Sequence, residues 1–264
     1  MPEAWDYSSA QEFVSYYAEK SVRPEQMSHF RSLRDAILRV FEQRGEGGPI
    51  YDVLDIGCNA GGQCSVWAEM GHRAHGLDVN EPLLDLARKR AEEAGQAIDY
   101  RLGSATELPW PNESMDVCIS TELIEHVADW KRCLTEFTRV LRPGGALLLT
   151  TTNKLCPRQN EFNLPLYSWY PGFAKRRFEQ LALTTKPELA NYAKYPAVNW
   201  FTPYGLNAEL GRRDFITIDR FDLVNRANKG RLERFILTAI RLLPPVRFAA
   251  HCCFAGTMSL GIKK

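Results

Sequence analysis

The stretch YDVLDIGCNAGGQC, residues 51–64, decides the fold. Residues 51–56 are a short apolar run bounded by glycine, which reads as a buried strand. Gly57, Gly61 and Gly62 then make a turn where the backbone can approach a ligand at the carboxyl end of that strand. A helix carrying Val66, Trp67 and Met70 comes next, and residues 73–77 form a second strand ending at Asp78. Asn80 is placed to cap the following helix, with Pro82 in its first turn and Leu83, Leu84, Ala87 and Ala91 on one side.

The same alternation runs on. Residues 98–102 and 115–120 read as strands three and four. A helix then sets Trp130, Cys133, Leu134, Phe137, Val140 and Leu141 on one stripe, Pro143, Gly144 and Gly145 break it, and residues 146–151 make strand five. Strands alternating with helices of this length predict right-handed crossovers and a mainly parallel sheet. Upstream, residues 12–44 carry Phe13, Tyr16, Tyr17, Phe30, Leu33, Ile37, Leu38 and Phe41 at helical steps, closed by Gly45 and Pro49. Downstream, residues 152–213 hold six of the 15 prolines and eleven aromatics, which reads as an insertion or lid. Residues 215–218, 232–243 and 255–262 then read as strand, helix and strand. The expected organisation is one domain over 1–264: a helical segment 1–50, a cofactor-binding core 51–151, an insertion 152–213 and a closing segment 214–264.

With 264 residues and 45% hydrophobic content the chain can bury one large core. Lys and Arg total 33 against 32 Asp and Glu. That balance gives no strong field for bulk nucleic-acid binding and leaves room only for a local patch. The N-terminal MPEAWDYSSAQEF lacks the basic start and apolar core of a signal peptide, and no stretch has the length of a membrane span, so the expected location is cytoplasmic. The seven cysteines are scattered with no CxxC pair, and read as reduced core residues.

A dinucleotide site would place a second glycine where this turn has Asn59. A side chain there argues against NAD or FAD and favours a cofactor without phosphate. Asp55, closing the first strand, suits a ligand bearing ammonium and sulfonium charges. Asp78 lies 23 residues on, where an acidic side chain can take both ribose hydroxyls.

From 51 to 153 the chain resembles the class I S-adenosylmethionine-dependent methyltransferases of the methyltransferase type 11 kind. DIGCNAGG is the glycine motif, GLDVN the acidic motif and LRPGGALLLTT the later one. The resemblance implies a Rossmann-like, doubly wound α/β fold with a mainly parallel seven-stranded sheet and an antiparallel last strand. It implies S-adenosylmethionine held by Asp55, Gly57, Cys58, Asn59, Gly61, Asp78, Val79, Ser104, Ala105 and Thr121. Ser104 stands where the family often has an acidic residue for the adenine amino group; Ala105 could offer its backbone amide instead. Arg34 is the nearest match to the family's N-terminal arginine.

The run STELIEHVADW is similar, more narrowly, to the ubiquinone-biosynthesis O-methyltransferase group. There the ExxEH spacing, here Glu122, Glu125 and His126, is linked to a divalent metal, Mg or Zn. If a helix begins near Thr121 these three share one face. The alternative is a histidine that simply sits near the cofactor, or that serves as general base, since imidazole titrates near neutrality. The expected reaction is O-methylation of an aromatic, quinone-precursor or lipid-linked acceptor. N- or C-methylation of a metabolite or sugar stays open, as does a non-catalytic Rossmann-like binding module.

LPLYSWYPGFAKRR, residues 164–177, interleaves Tyr167, Trp169, Tyr170 and Phe173 with Lys175, Arg176 and Arg177. It reads as an acceptor pocket wall, as an interfacial anchor for peripheral membrane contact, or as a packed helical cap. A second cluster, Tyr192, Tyr195, Trp200, Phe201 and Tyr204, leads into a helix capped by Thr202 with Pro203 at its first position. RFILTAIRLLPPVRF, residues 234–248, reads either as a helix covering the sheet or as one lying on a membrane.

Overall fold

A computed structural model of the chain describes residues 19, 21–45, 48–191, 195–227 and 229–264. The expectations at Phe13, Tyr16, Tyr17 and Tyr192 lie outside them.

The first helix, α1 (Pro24–Arg44), starts on a proline at its first position and ends at Gly45, whose left-handed φ of 70° lets its amide bond back to Glu42 O. It buries Leu33, Ile37, Val40 and Phe41. Then follow β1 (Asp52–Ile56), α2 (Gly62–Ala68), β2 (Arg73–Asp78), α3 (Glu81–Glu93), β3 (Ile98–Leu102), β4 (Met115–Thr121), α4 (Trp130–Val140) and β5 (Leu141–Thr152). After two 3₁₀ turns and α5 (Gly172–Thr184) come α6 (Pro203–Gly211), β6 (Phe215–Asp219), α7 (Arg220–Leu223), α8 (Arg231–Leu242), α9 (Pro244–Cys252) and β7 (Gly256–Lys263).

Seven strands make one sheet in the order β3-β2-β1-β4-β5-β7-β6, six parallel and β7 antiparallel, as the sequence implied. Their inner residues are apolar: Val53, Leu54, Ile56, Val117, Cys118 and Ile119 are all but inaccessible. Asn80 caps α3 through its side-chain oxygen to Leu83 N at 3.2 Å, and Thr202 caps α6 from Gly205 N at 3.0 Å. Three expectations change. α2 ends at Ala68, leaving Met70 in solvent. β5 begins at Leu141 rather than 146 and runs through Gly144, whose φ of 80° glycine adopts without strain. Cys252 and Cys253 lie outside the core, whereas the other five cysteines are buried; all seven are free thiols.

By internal contacts the chain divides into two compact units. In one, Ile124–Ala128 joins Leu149–Gly261; the other comprises the described residues up to Leu123, with Asp129–Leu148 and Ile262–Lys264. This second unit is clamped at the amino ends of its strands by Asp52, which takes Arg73 Nε at 2.6 Å and Arg142 Nη1 at 3.0 Å. The Arg73 hydrogen bond outweighs desolvation and holds the Asp52 carboxyl at about 2.

In the other unit, Phe162 stacks on Tyr167 at 4.1 Å and the two form a small core with Ala182 and Ala190. Asp219 organises the rest of that unit. Its Oδ1 accepts from Phe221 N at 2.9 Å, capping α7, and its Oδ2 accepts from Arg247 Nε at 2.7 Å and His251 Nε2 at 3.2 Å. The ionised carboxylate fixes the His251 tautomer with its proton on Nε2. Burial alone would push the Asp219 carboxyl up; the His251 and Arg247 bonds prevail and hold it well below the usual carboxylate range. A group depressed in the folded state stabilises above its unfolded pKa. Asp219→Asn therefore lowers stability at pH 7 by about 3 kcal/mol, and the deficit shrinks as pH falls below about 4. Thermal melts of both proteins from pH 3 to pH 7 check this; a constant deficit contradicts it.

Candidate functional site

In the sheet order, sequence runs one way from β1 through β2 to β3 and the other way from β4 to β5. The switch point lies between β1 and β4, and ligands of open α/β sheets bind beyond the carboxyl ends of the strands there. Asp55 pairs in register with Ile119 across these two strands. Ser120 and Thr121 thus run to the same edge as the glycine turn.

That turn is tied to β2 by its own amides. Gly57 N and Cys58 N both donate to Leu77 O, at 2.8 and 3.0 Å, and Asn59 N donates to Asp78 Oδ2 at 2.9 Å. The other Asp78 oxygen accepts from Asn80 N at 2.9 Å. Asn59 takes a left-handed φ of 47°, which asparagine tolerates, and its side-chain amide donates to Gly57 O at 3.0 Å. Gly61, at φ 80°, lies so close to the Tyr100 hydroxyl and Ala87 that a Cβ would collide with both. The turn admits no side chain there.

Asp55 is buried, and its Oδ1 has no hydrogen-bond partner in the protein. Burial, then the charge of Asp78, pushes its carboxyl up to about 8. Burial also raises Asp78, opposed by the amides of Asn59, Asn80 and Val79. Two further buried groups at this edge lack partners: the side-chain amide of Gln63, second residue of α2, and Ser120 Oγ. Buried polar atoms are ordinarily satisfied, so three such groups around one switch point match the needs of a polar ligand. Sequence reasoning missed Gln63 and Ser120. The only signal was position, Gln63 directly after the glycines and Ser120 directly before Thr121.

The other expected cofactor residues occupy the same strand ends. Val79 stands exposed beside Asp78. Asp78 pairs in register with Leu102, and Gly103 N donates to Asp78 O at 3.0 Å, which brings Ser104 and buried Ala105 after it. Ser104 Oγ accepts from Thr106 N at 3.2 Å. Arg34 is not directed to this edge: its Nη1 donates to Val66 O at 3.0 Å, and it pairs with Asp35.

The expected helix near Thr121 does not form. Glu122 adopts φ 49°, which breaks helical geometry, and the helix waits for Asp129, whose side chain caps α4 from Arg132 N at 3.1 Å. Glu122, Glu125 and His126 therefore share no helical face. Glu122 is exposed. Glu125 is buried, with its Oε2 accepting from Thr151 Oγ1 at 2.8 Å and its backbone oxygen accepting from Val198 N and Asn199 N. His126 donates from Nδ1 to Tyr195 O at 2.7 Å, and its Nε2 lies 3.7 Å from Glu161 Oε2. The carboxyl oxygens of Glu125 and Glu161 approach within 4.8 Å. Glu161 is a neighbour that the ExxEH spacing did not reveal.

Of the four aromatics in the 164–177 stretch, Trp169 and Phe173 are exposed and Tyr170 is half-buried. Tyr167 is fully buried, and Lys175, although adjacent in sequence to Arg176 and Arg177, is buried too. Its ammonium donates to Ser168 O at 3.0 Å and lies 4.0 Å from the Trp200 ring centre. Desolvation draws it down to about 8. Arg176 and Arg177 remain exposed.

Residues 54–149 match the family model described as a methyltransferase domain. Among curated proteins, a 102-residue stretch is 38% identical to the ubiquinone biosynthesis O-methyltransferase of Sinorhizobium medicae, covering 39% of this chain and 41% of that protein. A 107-residue stretch is 36% identical to the malonyl-[acyl-carrier protein] O-methyltransferase of Serratia marcescens, covering 40% of each. The matched stretch thus spans about two-fifths of these relatives. A solved S-adenosylmethionine-dependent methyltransferase from Mesorhizobium loti shares the fold at a TM-score of 0.55 and 17% identity, over 84% of this chain and 96% of that one.

A carboxyl raised in the folded state loses its stabilising effect as pH rises from the unfolded pKa through the folded one, here from about 4 to about 8. Asparagine at 55 does not titrate. Between pH 5 and pH 7 the stability of Asp55→Asn should therefore gain on the parent by about 1.4 kcal/mol per pH unit. Calorimetric melts read this directly, and parallel profiles for the two proteins contradict it.

Proposed function

We propose that this chain, with its methyltransferase domain over residues 54–149, uses S-adenosylmethionine to methylate a small molecule. The acceptor we assign is a hydroxyl of an aromatic, quinone-precursor or lipid-linked compound. The observation that carries the reading is the buried Asp55 carboxyl, whose Oδ1 has no partner in the protein while Oδ2 accepts only the Cys64 thiol, beside a glycine turn that is itself held by Asp78. Such a carboxyl suits a ligand with fixed positive charge. Asp78 retains acceptor capacity for ribose hydroxyls, exposed Val79 offers an apolar wall to an adenine, and Ser104, Ala105 and Thr121 complete the edge. The two curated relatives named above are O-methyltransferases by name, which supports an oxygen acceptor over nitrogen or carbon.

When bound, the sulfonium supplies an already activated methyl group. The protein then has to align the acceptor, exclude water and remove a proton. His126 is assigned the last task. Its Nδ1 proton is committed to Tyr195 O, so Nε2 is the nitrogen that can accept one. A second reading adds a divalent cation, Mg or Zn, at Glu125 and His126; the approach of Glu161 to both favours it.

Titration calorimetry with S-adenosylmethionine tests the cofactor, and Asp78→Ala should weaken binding by at least tenfold while circular dichroism stays unchanged. No heat at millimolar cofactor would favour a non-catalytic module. Methyl transfer to catechols and quinols, with amines and sugars as competitors, tests the acceptor class. His126→Gln should lower kcat about a hundredfold with little change in cofactor affinity. Full activity in excess chelator removes the cation from the account.

A further inference from the structure

The helices α8 and α9 present an apolar face that no described residue covers. In α8, Leu232, Phe235, Ile236 and Leu242 recur at helical steps and continue into Leu243. In a surface helix such a stripe turns inward, yet Leu232, Phe235 and Leu242 are each 72% exposed, and only Ile240 of α8 is buried. The opposite side is the one held to the protein: Arg241 Nη2 donates to Phe221 O at 2.7 Å and Val224 O at 3.0 Å. This helix is therefore fixed with its apolar side outward.

The charge beside this face is mainly basic. Arg226, Lys229, Arg231 and Arg234 stand against one acid, Glu233, while Arg241 and Arg247 are paired with Asp222 and Asp219, and the whole chain has a net charge of +1. A two-fold contact between copies would set these like-charged surfaces against each other, which disfavours a second copy of this chain. At 12 residues α8 is about 18 Å long, far short of a bilayer core of about 30 Å. It joins α9 at a 110° bend around Pro244, and among the described residues no single helix is long and apolar enough to cross a membrane. A short helix with an apolar face and basic neighbours lies in the plane of an anionic lipid surface.

We propose that the apolar face of α8, with Leu243, docks the protein onto membranes rich in anionic lipid. Leu232, Phe235, Ile236 and Leu242 enter the boundary between headgroups and acyl chains, while Arg226, Lys229 and Arg231 meet the headgroups. Docking at this face is independent of methyl transfer, so it is read without turnover.

The test is co-sedimentation of the full chain with phosphatidylcholine vesicles containing phosphatidylglycerol, beside vesicles of phosphatidylcholine alone. Binding is expected only to the anionic vesicles and should fall at high salt. Phe235→Asp should weaken it at least tenfold, and Arg231→Glu several-fold, with unchanged circular dichroism. The proposal is overturned by no binding to anionic vesicles, by equal binding to both kinds, or by unaltered binding of Phe235→Asp. It is equally overturned if sedimentation velocity shows a dimer that Phe235→Asp dissociates while vesicles bind nothing.

Discussion

One strand end holds the site together. Leu77 O accepts two amides of the glycine turn and Asp78 accepts a third, so the turn after β1 has a single position, set by β2. That tie places Asp55 against Asp78 in the interior, where two carboxylates cannot both ionise cheaply. The cost is local, of the kind a protein bears where stability is traded for function. A ligand bringing positive charge and hydrogen-bond donors would relieve both carboxyls at once.

Much of this was legible because it rests on local chemistry. Glycines in a turn, an acid closing β2, a cap at Asn80 and apolar strands bounded by polar turns are written into short windows, and the sheet followed from their alternation. The failures share a cause. The helix expected at Thr121 rested on the spacing of Glu122, Glu125 and His126, but the backbone there is governed by Glu122 in a left-handed conformation and by bonds from Thr151, Tyr195 and Asn199, far along the chain. The same holds for Lys175. In sequence it belongs to a basic cluster; in the fold its ammonium sits among Ser168, Tyr167 and Trp200. Long-range partners leave no mark in a local window.

The two compact units are stabilised by different means. One relies on apolar strands and an ion-paired clamp at Asp52, remote from the ligand edge. The other relies on a few buried polar anchors, Asp219 with His251 and Arg247, and Glu125 with Thr151, around small aromatic cores. A few anchors leave more of the surface to be shaped for partners, and the outward face of α8 lies in that unit.

We propose that the Asp55 carboxyl, whose Oδ1 has no partner in the protein, and the pinned turn form a receptor for an adenosyl sulfonium. The most direct measurement is a crystal structure with S-adenosylmethionine. The expected result is the adenosyl moiety beyond the carboxyl ends of β1 and β2, with both ribose hydroxyls on Asp78 and the amino acid portion reaching Asp55. Ligand density elsewhere, or Asp55 Oδ1 still without a partner beside a bound cofactor, would contradict it.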